Sequence, residues 1–254
     1  MKIRLLLLFA VLCLSSASAA SAQDSVRLTV KPQAVDIGTL YNGTTVQASG
    51  AIPADSEAVV RFLGVPSKVH MKQTAKVGGV VWMNTASVDF EKAPSVCIVS
   101  STQDLKKLET TPGPVDDLSL AGLRKSIVID ARECKGLDVF AEFLKMKKKE
   151  GLYREVSGNI SYGKISKGVK TFQVSIPLPS RLSPGVYTVD VAAVRNGQIV
   201  ARGQETIDAK LVGAPALMAS LAFNHSILYG FLATLIALLA GLGIGLVFQS
   251  KGAH

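Results

Sequence analysis

Residues 184–200 read PGVYTVDVAAVRNGQIV, and this stretch indicates a pair of antiparallel β-strands. Apolar side chains alternate with polar ones along the first strand, so that one face carries Tyr187, Val189, Val191 and Ala193. Asn196-Gly197 favours the tight turn of a β-hairpin, because both residue types tolerate positive φ. The chain then returns through residues 198–207. The pair resembles the closing hairpin of an immunoglobulin-like domain.

β-rich segments lie on both sides of a helical one. Residues 23–115 contain short apolar strands separated by turn residues, which is typical of a β-sandwich. Residues 116–150 are predicted to be a helical insertion, in which Asp116-Asp117 could cap a first helix. A second, stronger helix places Leu137, Phe140, Ala141 and Leu144 on one face. Residues 151–212 return to strands and either complete the first module or form a second, associated one, which we favour. The fold class is therefore mainly β: an immunoglobulin-like β-sandwich with a helical insertion.

The N-terminus has the layout of a secretory signal. Lys2 and Arg4 precede a short apolar stretch, and Ala20-Ser21-Ala22 provides a small-residue cleavage site. Residues 1–22 are therefore predicted to be a signal peptide, with an uncleaved N-terminal anchor as the alternative. An exported β-domain follows from this prediction.

The C-terminal region predicts one membrane span. Residues 227–248 contain no charged side chain, and as a helix they would extend about 33 Å, enough to cross a bilayer core. Residues 213–226 are expected to be a juxtamembrane linker, and residues 249–254 a short tail that carries Lys251. With an exported domain, this topology places the bulk of the chain in the periplasm and the tail in the cytoplasm.

Small residues recur at every fourth position of the predicted span. Ala233, Ala237, Gly241 and Gly245 form one stripe along the helix. Such stripes allow two helix backbones to approach closely, so this face is a candidate surface for packing against another membrane protein or a second copy of the chain. The alternative is the ordinary abundance of Ala and Gly in membrane helices.

The charge of the chain does not indicate a nucleic-acid partner. The formal net charge is +9, and the densest run of lysines, residues 145–149, is typical of a solvated helix face. No aromatic side chains are interleaved with it to stack on bases.

Cys97 and Cys134 are the cysteines that remain after the predicted signal is removed. In an oxidising compartment they could form a disulfide bridge. Cys97 lies within the apolar run VCIV, which instead favours a buried free thiol. Both interpretations stay open.

The sequence contains no recognisable catalytic or metal-binding motif. His70, His225 and His254 are scattered without the spacing of metal ligands, and the single tryptophan, Trp82, is expected in the core. We therefore predict no enzyme, no cofactor and no metal. Two alternatives have weaker support: an oxyanion-binding receptor that uses Arg154, Arg181 or Arg195, and a thiol-redox enzyme that uses the two cysteines.

Several stretches together resemble a family of bacterial membrane proteins of unknown function, first described in alphaproteobacteria. They are GVVWMN (79–84), VDF (88–90), GLYR (151–154), PGVYTV (184–189), NGQIV (196–200) and LYG (228–230). The resemblance implies a signal peptide, an exported region and one C-terminal span in the bacterial inner membrane. It also implies an accessory role beside sulfite-exporter-type permeases, and it supplies no catalytic residue. The leading expectation is a membrane-anchored periplasmic interaction module.

Overall fold

The computed structural model describes residues 24–105, 113–131 and 138–249. The predicted signal peptide, Cys134 and the end of the C-terminal tail lie outside the described residues. Strands and helices take the following bounds: β1 (Asp24–Ser25), β2 (Leu28–Lys31), β3 (Ala34–Ile37), β4 (Thr44–Pro53), β5 (Glu57–Leu63), β6 (Pro66–Val77), β7 (Val81–Pro94), β8 (Cys97–Ser101), β9 (Val128–Asp130), α1 (Val139–Lys149), β10 (Tyr153–Ser157), β11 (Ile160–Ser166), β12 (Val169–Leu178), β13 (Gly185–Arg195), β14 (Gln198–Leu211), α2 (Ala214–Asn224) and α3 (Ser226–Gln249).

Two sheets pack face to face and confirm the predicted mainly β sandwich. The first sheet has the order β1-β14-β13-β5-β8-β10, with β3 also paired to β14, and the second has the order β11-β12-β4-β2. Alternate side chains of both sheets point inward, so that Phe62 and Val191 of the first sheet share one core with Val46 and Ile176 of the second. This common core holds the sandwich together.

Strands from the two halves of the sequence are interleaved. β4 pairs with β12 along ten residues of the second sheet, and β5 lies beside β13 in the first. The segments 23–115 and 151–212 therefore contribute to the same sheets and to the same core.

The hairpin at residues 184–200 forms as predicted. β13 pairs with β14 in antiparallel register from Gly185↔Ala209 to Arg195↔Gln198. Asn196 and Gly197 have φ values of 49° and 74°, as a tight hairpin turn requires. The four predicted inward side chains, from Tyr187 to Ala193, are all buried.

A third layer covers the outer face of the first sheet. It consists of α1, two short 3-10 turns (Asp116–Leu118 and Gly122–Lys125) and a small sheet of order β6-β7-β9. Phe143 lies at the centre of this layer, with its ring centroid 4.4 Å from that of Phe90 and 5.7 Å from that of Tyr153. The layer encloses a second core.

The helical insertion is confirmed, but its buried face differs from the prediction. Asp138 caps the start of α1: its carboxylate accepts hydrogen bonds from the backbone N–H groups of Phe140 and Ala141, and the helix ends at Lys149, shortly before Gly151. Phe140, Phe143 and Lys147 are buried, whereas Ala141 is exposed. Packing against the rings of Phe90 and Tyr153 sets the rotation of the helix. The helix expected after Asp116-Asp117 is instead the pair of 3-10 turns.

The C-terminal region contains two apolar helices. α3 includes the predicted span and has no residue buried against the rest of the described chain. The segment predicted as a linker, 213–226, contains the helix α2, which ends at Asn224. Helix-forming residues such as Ala, Leu and Met, together with a proline in the first turn, account for α2.

Candidate docking surfaces

The β6–β7 hairpin extends beyond the packed layers. β7 is 14 residues long, yet β9 pairs with it only along residues 89–91. In β7, the inward side chains of Ala86, Val88 and Phe90 are buried, whereas all residues from 81 to 85 are exposed. We refer to residues 77–83 as the hairpin tip. Gly78 and Gly79, with φ values of 63° and 76°, form its turn.

The hairpin tip is apolar and exposed. Val80 is 82% exposed, Trp82 65% and Met83 52%. The expectation that Trp82 lies in the core is therefore wrong. Within the described residues, its ring is approached by the Lys76 ammonium, 5.5 Å from the ring centroid. The run of apolar residues without alternation after Gly78-Gly79 is the sequence signal that could have indicated an exposed tip.

The base of the same hairpin is polar on one face. Lys68 lies 2.9 Å from Asp89 and 3.2 Å from Glu91, and the His70 ring lies 2.6 Å from Asp89. The hydrogen bond from His70, and then that from Lys68, lower the pKa of Asp89 below its usual range. The base of the hairpin thus carries paired charges on one face, whereas the hairpin tip has an apolar surface with the Lys76 ammonium over Trp82.

The small-residue stripe lies on the open surface of α3. Ala233, Ala237, Gly241 and Gly245 are all exposed. A Cβ built on either Gly241 or Gly245 would meet nothing within 4 Å. The described part of the chain thus leaves this face unpartnered, and helix packing through it stays a prediction.

An open groove of about 750 Å³ lies between the first sheet and the third layer. Arg61, Lys92, Arg202 and Asp190 contribute its charged side chains. Arg61 is held in place, because its Nε donates to Asp190 over 3.2 Å and its Nη1 donates to the Asp117 carbonyl over 3.1 Å. The groove therefore carries more positive than negative charge.

The arginines named from the sequence are not brought together. Arg181 lies 3.9 Å from Glu150, and Arg195 pairs with Asp55. Arg154 lies on β10. None of the three lines the groove. The arginines that do line it are in strands of the first sheet, and sequence spacing gave no indication of this.

Cys97 is buried and has no disulfide partner among the described residues. Burial, with a smaller contribution from the Glu155 carboxylate, raises its pKa to about 12. A reactive cysteine instead has a lowered pKa and access to solvent. Cys134, its candidate partner, lies outside the described residues, so both the bridge and the free thiol stay open.

Metal coordination would require three or more suitable side chains close together. Within the described ranges, no group of three His, Cys, Asp or Glu residues is arranged to hold a metal ion.

Comparison with protein families matches residues 25–250 to the family described as "Putative transmembrane protein (Alph_Pro_TM)". The match includes the described β-domain from Ser25 onward together with α3, and it confirms the resemblance found in the sequence. No curated protein matches the chain.

Proposed function

This chain belongs to the Alph_Pro_TM family of transmembrane proteins, and on that premise we propose that it is a membrane-anchored interaction module. In this proposal it is an accessory partner of a transporter in the bacterial inner membrane, with its β-domain in the periplasm and its C-terminus in the cytoplasm. The transporter we name is a sulfite-exporter-type permease. The observation that carries the proposal is the exposed, apolar hairpin tip.

The hairpin tip has the composition of a protein-binding surface. Trp82 and Met83 belong to residue types enriched at protein interfaces, and Val80 beside them is almost fully exposed. A contiguous apolar surface of this kind is unfavourable in water and indicates that another molecule covers it. In the described part of the chain, β9 pairs with β7 along residues 89–91 and the tip is joined to the fold by the β6–β7 ladder, so the tip can adapt to a partner without disturbing the core.

The small-residue stripe supports a partner that also lies in the membrane. Hydrophobic burial does not drive helices together in lipid, so close backbone packing along small residues becomes the source of affinity. A partner that contacts both the hairpin tip and the stripe must have an exported surface and a membrane span. Two weak contacts on one partner reinforce each other through their effective concentration.

Site-specific photo-crosslinking tests the hairpin tip. A photoreactive amino acid at Trp82 or Val80 should give an adduct with an integral membrane protein in intact cells, which mass spectrometry then identifies. The matched control is Ile165, which is 66% exposed on β11 and far from the hairpin in sequence. A sulfite-exporter-type permease in the adduct would support the proposal that this transporter is the partner. A yield at Trp82 no higher than at Ile165 would refute docking through the tip.

Leucine substitutions test the stripe. Gly241→Leu with Gly245→Leu should reduce copurification of the crosslinked partner in mild detergent, because each new side chain blocks close approach of the helices. Gly243→Leu is the control, since Gly243 is off the stripe on the same helix and also has open space around it. If the stripe variant and the control copurify the partner equally, the stripe on α3 is not part of the interface.

A receptor for small oxyanions is the second candidate, and the groove supports it. Lys92 and Arg202 lie in the groove and have no ion pair within the described part of the chain, whereas Arg61 is already bonded to Asp190. Calorimetry on the full chain in detergent, with sulfite, sulfate and thiosulfate, tests this candidate. Binding should weaken in Lys92→Gln and Arg202→Gln and persist in Arg181→Gln. Absence of heat with all three anions would count against it.

A further inference from the structure

The helix α2 has a composition unlike that of a soluble surface helix. No charged side chain occurs from Leu211 to Ser250, so α2 and α3 form one continuous uncharged stretch. A helix on a protein surface normally carries charged residues on its outer face. α2 carries none on any face.

The described chain covers α2 only in part: six of its eleven residues are exposed and five are half-buried. Leu217 is 62% exposed, Met218 64% and Phe223 86%, and the helix contains no buried residue. With 11 residues it is about 16 Å long, too short to cross a bilayer. α3, with 24 residues, is long enough to cross alone. α2 is therefore an apolar helix in addition to the membrane span.

A non-helical residue, which we call the break, separates the two helices. His225 has φ −135° and ψ 53°, which is not helical, and its N–H donates to the Leu221 carbonyl over 3.2 Å. The polar residues Asn224, His225 and Ser226 are adjacent at this break. Tyr229 follows one turn later, and tyrosine is a residue type enriched at membrane interfaces. The break allows α2 to leave the axis of the span at the level of the lipid headgroups.

We propose that α2 lies in the interface of the membrane, within the leaflet nearest the β-domain. Phospholipid covers it in this proposal, because α2 is continuous with a membrane span, carries no charge, and exposes mainly apolar side chains, with Ser220 and Asn224 as its polar residues. Without lysine or arginine, its association with lipid rests on apolar burial and not on attraction to anionic headgroups. Zwitterionic and anionic vesicles should therefore hold it equally.

Fluorescent labelling in vesicles tests this placement. The full chain, with its cysteines replaced by alanine, carries one new cysteine at Leu217, Met218 or Phe223, labelled with an environment-sensitive dye and reconstituted in phosphatidylcholine. All three positions should show blue-shifted emission, quenched more strongly by a nitroxide placed near the headgroup than by one near the chain end. Leu239, in α3, should show the opposite preference, and Leu40, 94% exposed on the β-domain, should not be quenched. Three label positions guard against one that disturbs the fold.

Three results would overturn the proposal. Emission and quenching at the α2 positions equal to those at Leu40 would place the helix in water. Shielding from aqueous iodide without quenching by lipid nitroxides would show that protein covers it. Depth that increases steadily from Leu217 through Phe223 to Leu239 would show a single continuous membrane helix. These vesicles contain no transporter, so the result is independent of the proposed partner.

Discussion

The Tyr162 hydroxyl donates a 2.8 Å hydrogen bond to the Glu57 carboxylate, and this contact joins the two sheets of the sandwich. Glu57 is the first residue of β5 in one sheet, and Tyr162 lies on β11 in the other. The same carboxylate accepts from Thr102 Oγ1 over 2.6 Å, and the Tyr162 oxygen accepts from the Ala58 backbone N–H over 2.8 Å. Each polar group of this partly buried network thus has a hydrogen-bond partner within the network.

Tyr162→Phe should destabilise the fold by about 1–3 kcal/mol, because it leaves the Ala58 N–H without this acceptor and removes one of the donors to Glu57. Urea unfolding of the full chain in detergent measures the change. Tyr41→Phe is the matched control, since the buried Tyr41 hydroxyl has no hydrogen-bond partner within the described residues. That variant should be neutral or slightly stabilising. Equal losses in the two variants would contradict the role assigned to the network.

Glu57 should make the fold sensitive to acid. Burial alone would raise the pKa of Glu57, but the hydrogen bonds from Thr102 and Tyr162 and the charge of Lys170 outweigh it, so the pKa is lowered on folding. A lowered pKa means that the contribution to stability is complete above the unfolded-state pKa, about 4.3. It is then lost as the pH falls through the folded-state value.

Glu57→Gln tests this pH dependence, because glutamine keeps the size of the side chain and does not titrate. Thermal unfolding midpoints between pH 7 and pH 3 should fall less steeply in the variant than in the parent. Asp89 and Asp138 also have lowered pKa values, so the variant should retain part of the acid sensitivity. Parallel curves for variant and parent would show that Glu57 does not titrate in this window.

Local patterns in the sequence predict local structure well in this chain. The hairpin at residues 184–200 could be predicted because Asn196-Gly197 specifies its own turn, and the span could be predicted because its composition alone decides it. The contact between Glu57 and Tyr162 joins residues 105 positions apart, and the hydrophobic periodicity of the sequence cannot predict a pairing over that distance. The outer groove is likewise assembled from distant strands.

Exposure is harder to infer than secondary structure. Trp82 lies in a strand, as expected, but a strand pattern does not show whether another layer covers it. α1 stops covering the hairpin near Met71 and Val88, which line a small cavity with Val139 at the start of that helix. The hairpin tip lies beyond that point, and only the tertiary arrangement reveals it.

Gly64→Ala should destabilise the fold by about 1–3 kcal/mol through overpacking. Gly64 lies between β5 and β6, and its N–H donates to the Val96 carbonyl over 2.8 Å. A Cβ at this position would lie 2.8 Å from the Val96 backbone nitrogen and 3.0 Å from the Tyr187 ring. Backbone cannot move aside as a flexible side chain can, so the strain persists.

Gly38→Ala provides the comparison for that substitution. Its Cβ would meet only Val212 Cγ2, at an ordinary 3.7 Å, so its unfolding free energy should stay close to that of the parent. Urea unfolding of both variants under the same conditions measures the difference. A Gly64→Ala variant as stable as Gly38→Ala would contradict the close packing of the β5–β6 connection.

Cys97 should resist alkylation in the folded protein. Because burial raises its pKa to about 12, only about one thiol in ten thousand would be ionised at pH 8, and the thiolate is the reactive form. Iodoacetamide should therefore leave Cys97 unmodified without denaturant and modify it rapidly after unfolding in urea. Peptide mass spectrometry reads both states.

The same labelling separates a free thiol from a bridge to Cys134. A bridged Cys97 would stay unmodified even in urea until a reductant is added, and the intact unreduced chain would be lighter by two hydrogens. Cys134→Ser then serves as the control, because it makes Cys97 free by construction and should reproduce the labelling expected of a buried thiol. Alkylation of the native chain at the rate of an unstructured peptide would contradict the burial of Cys97 and, with it, the packing of β8 beneath the third layer.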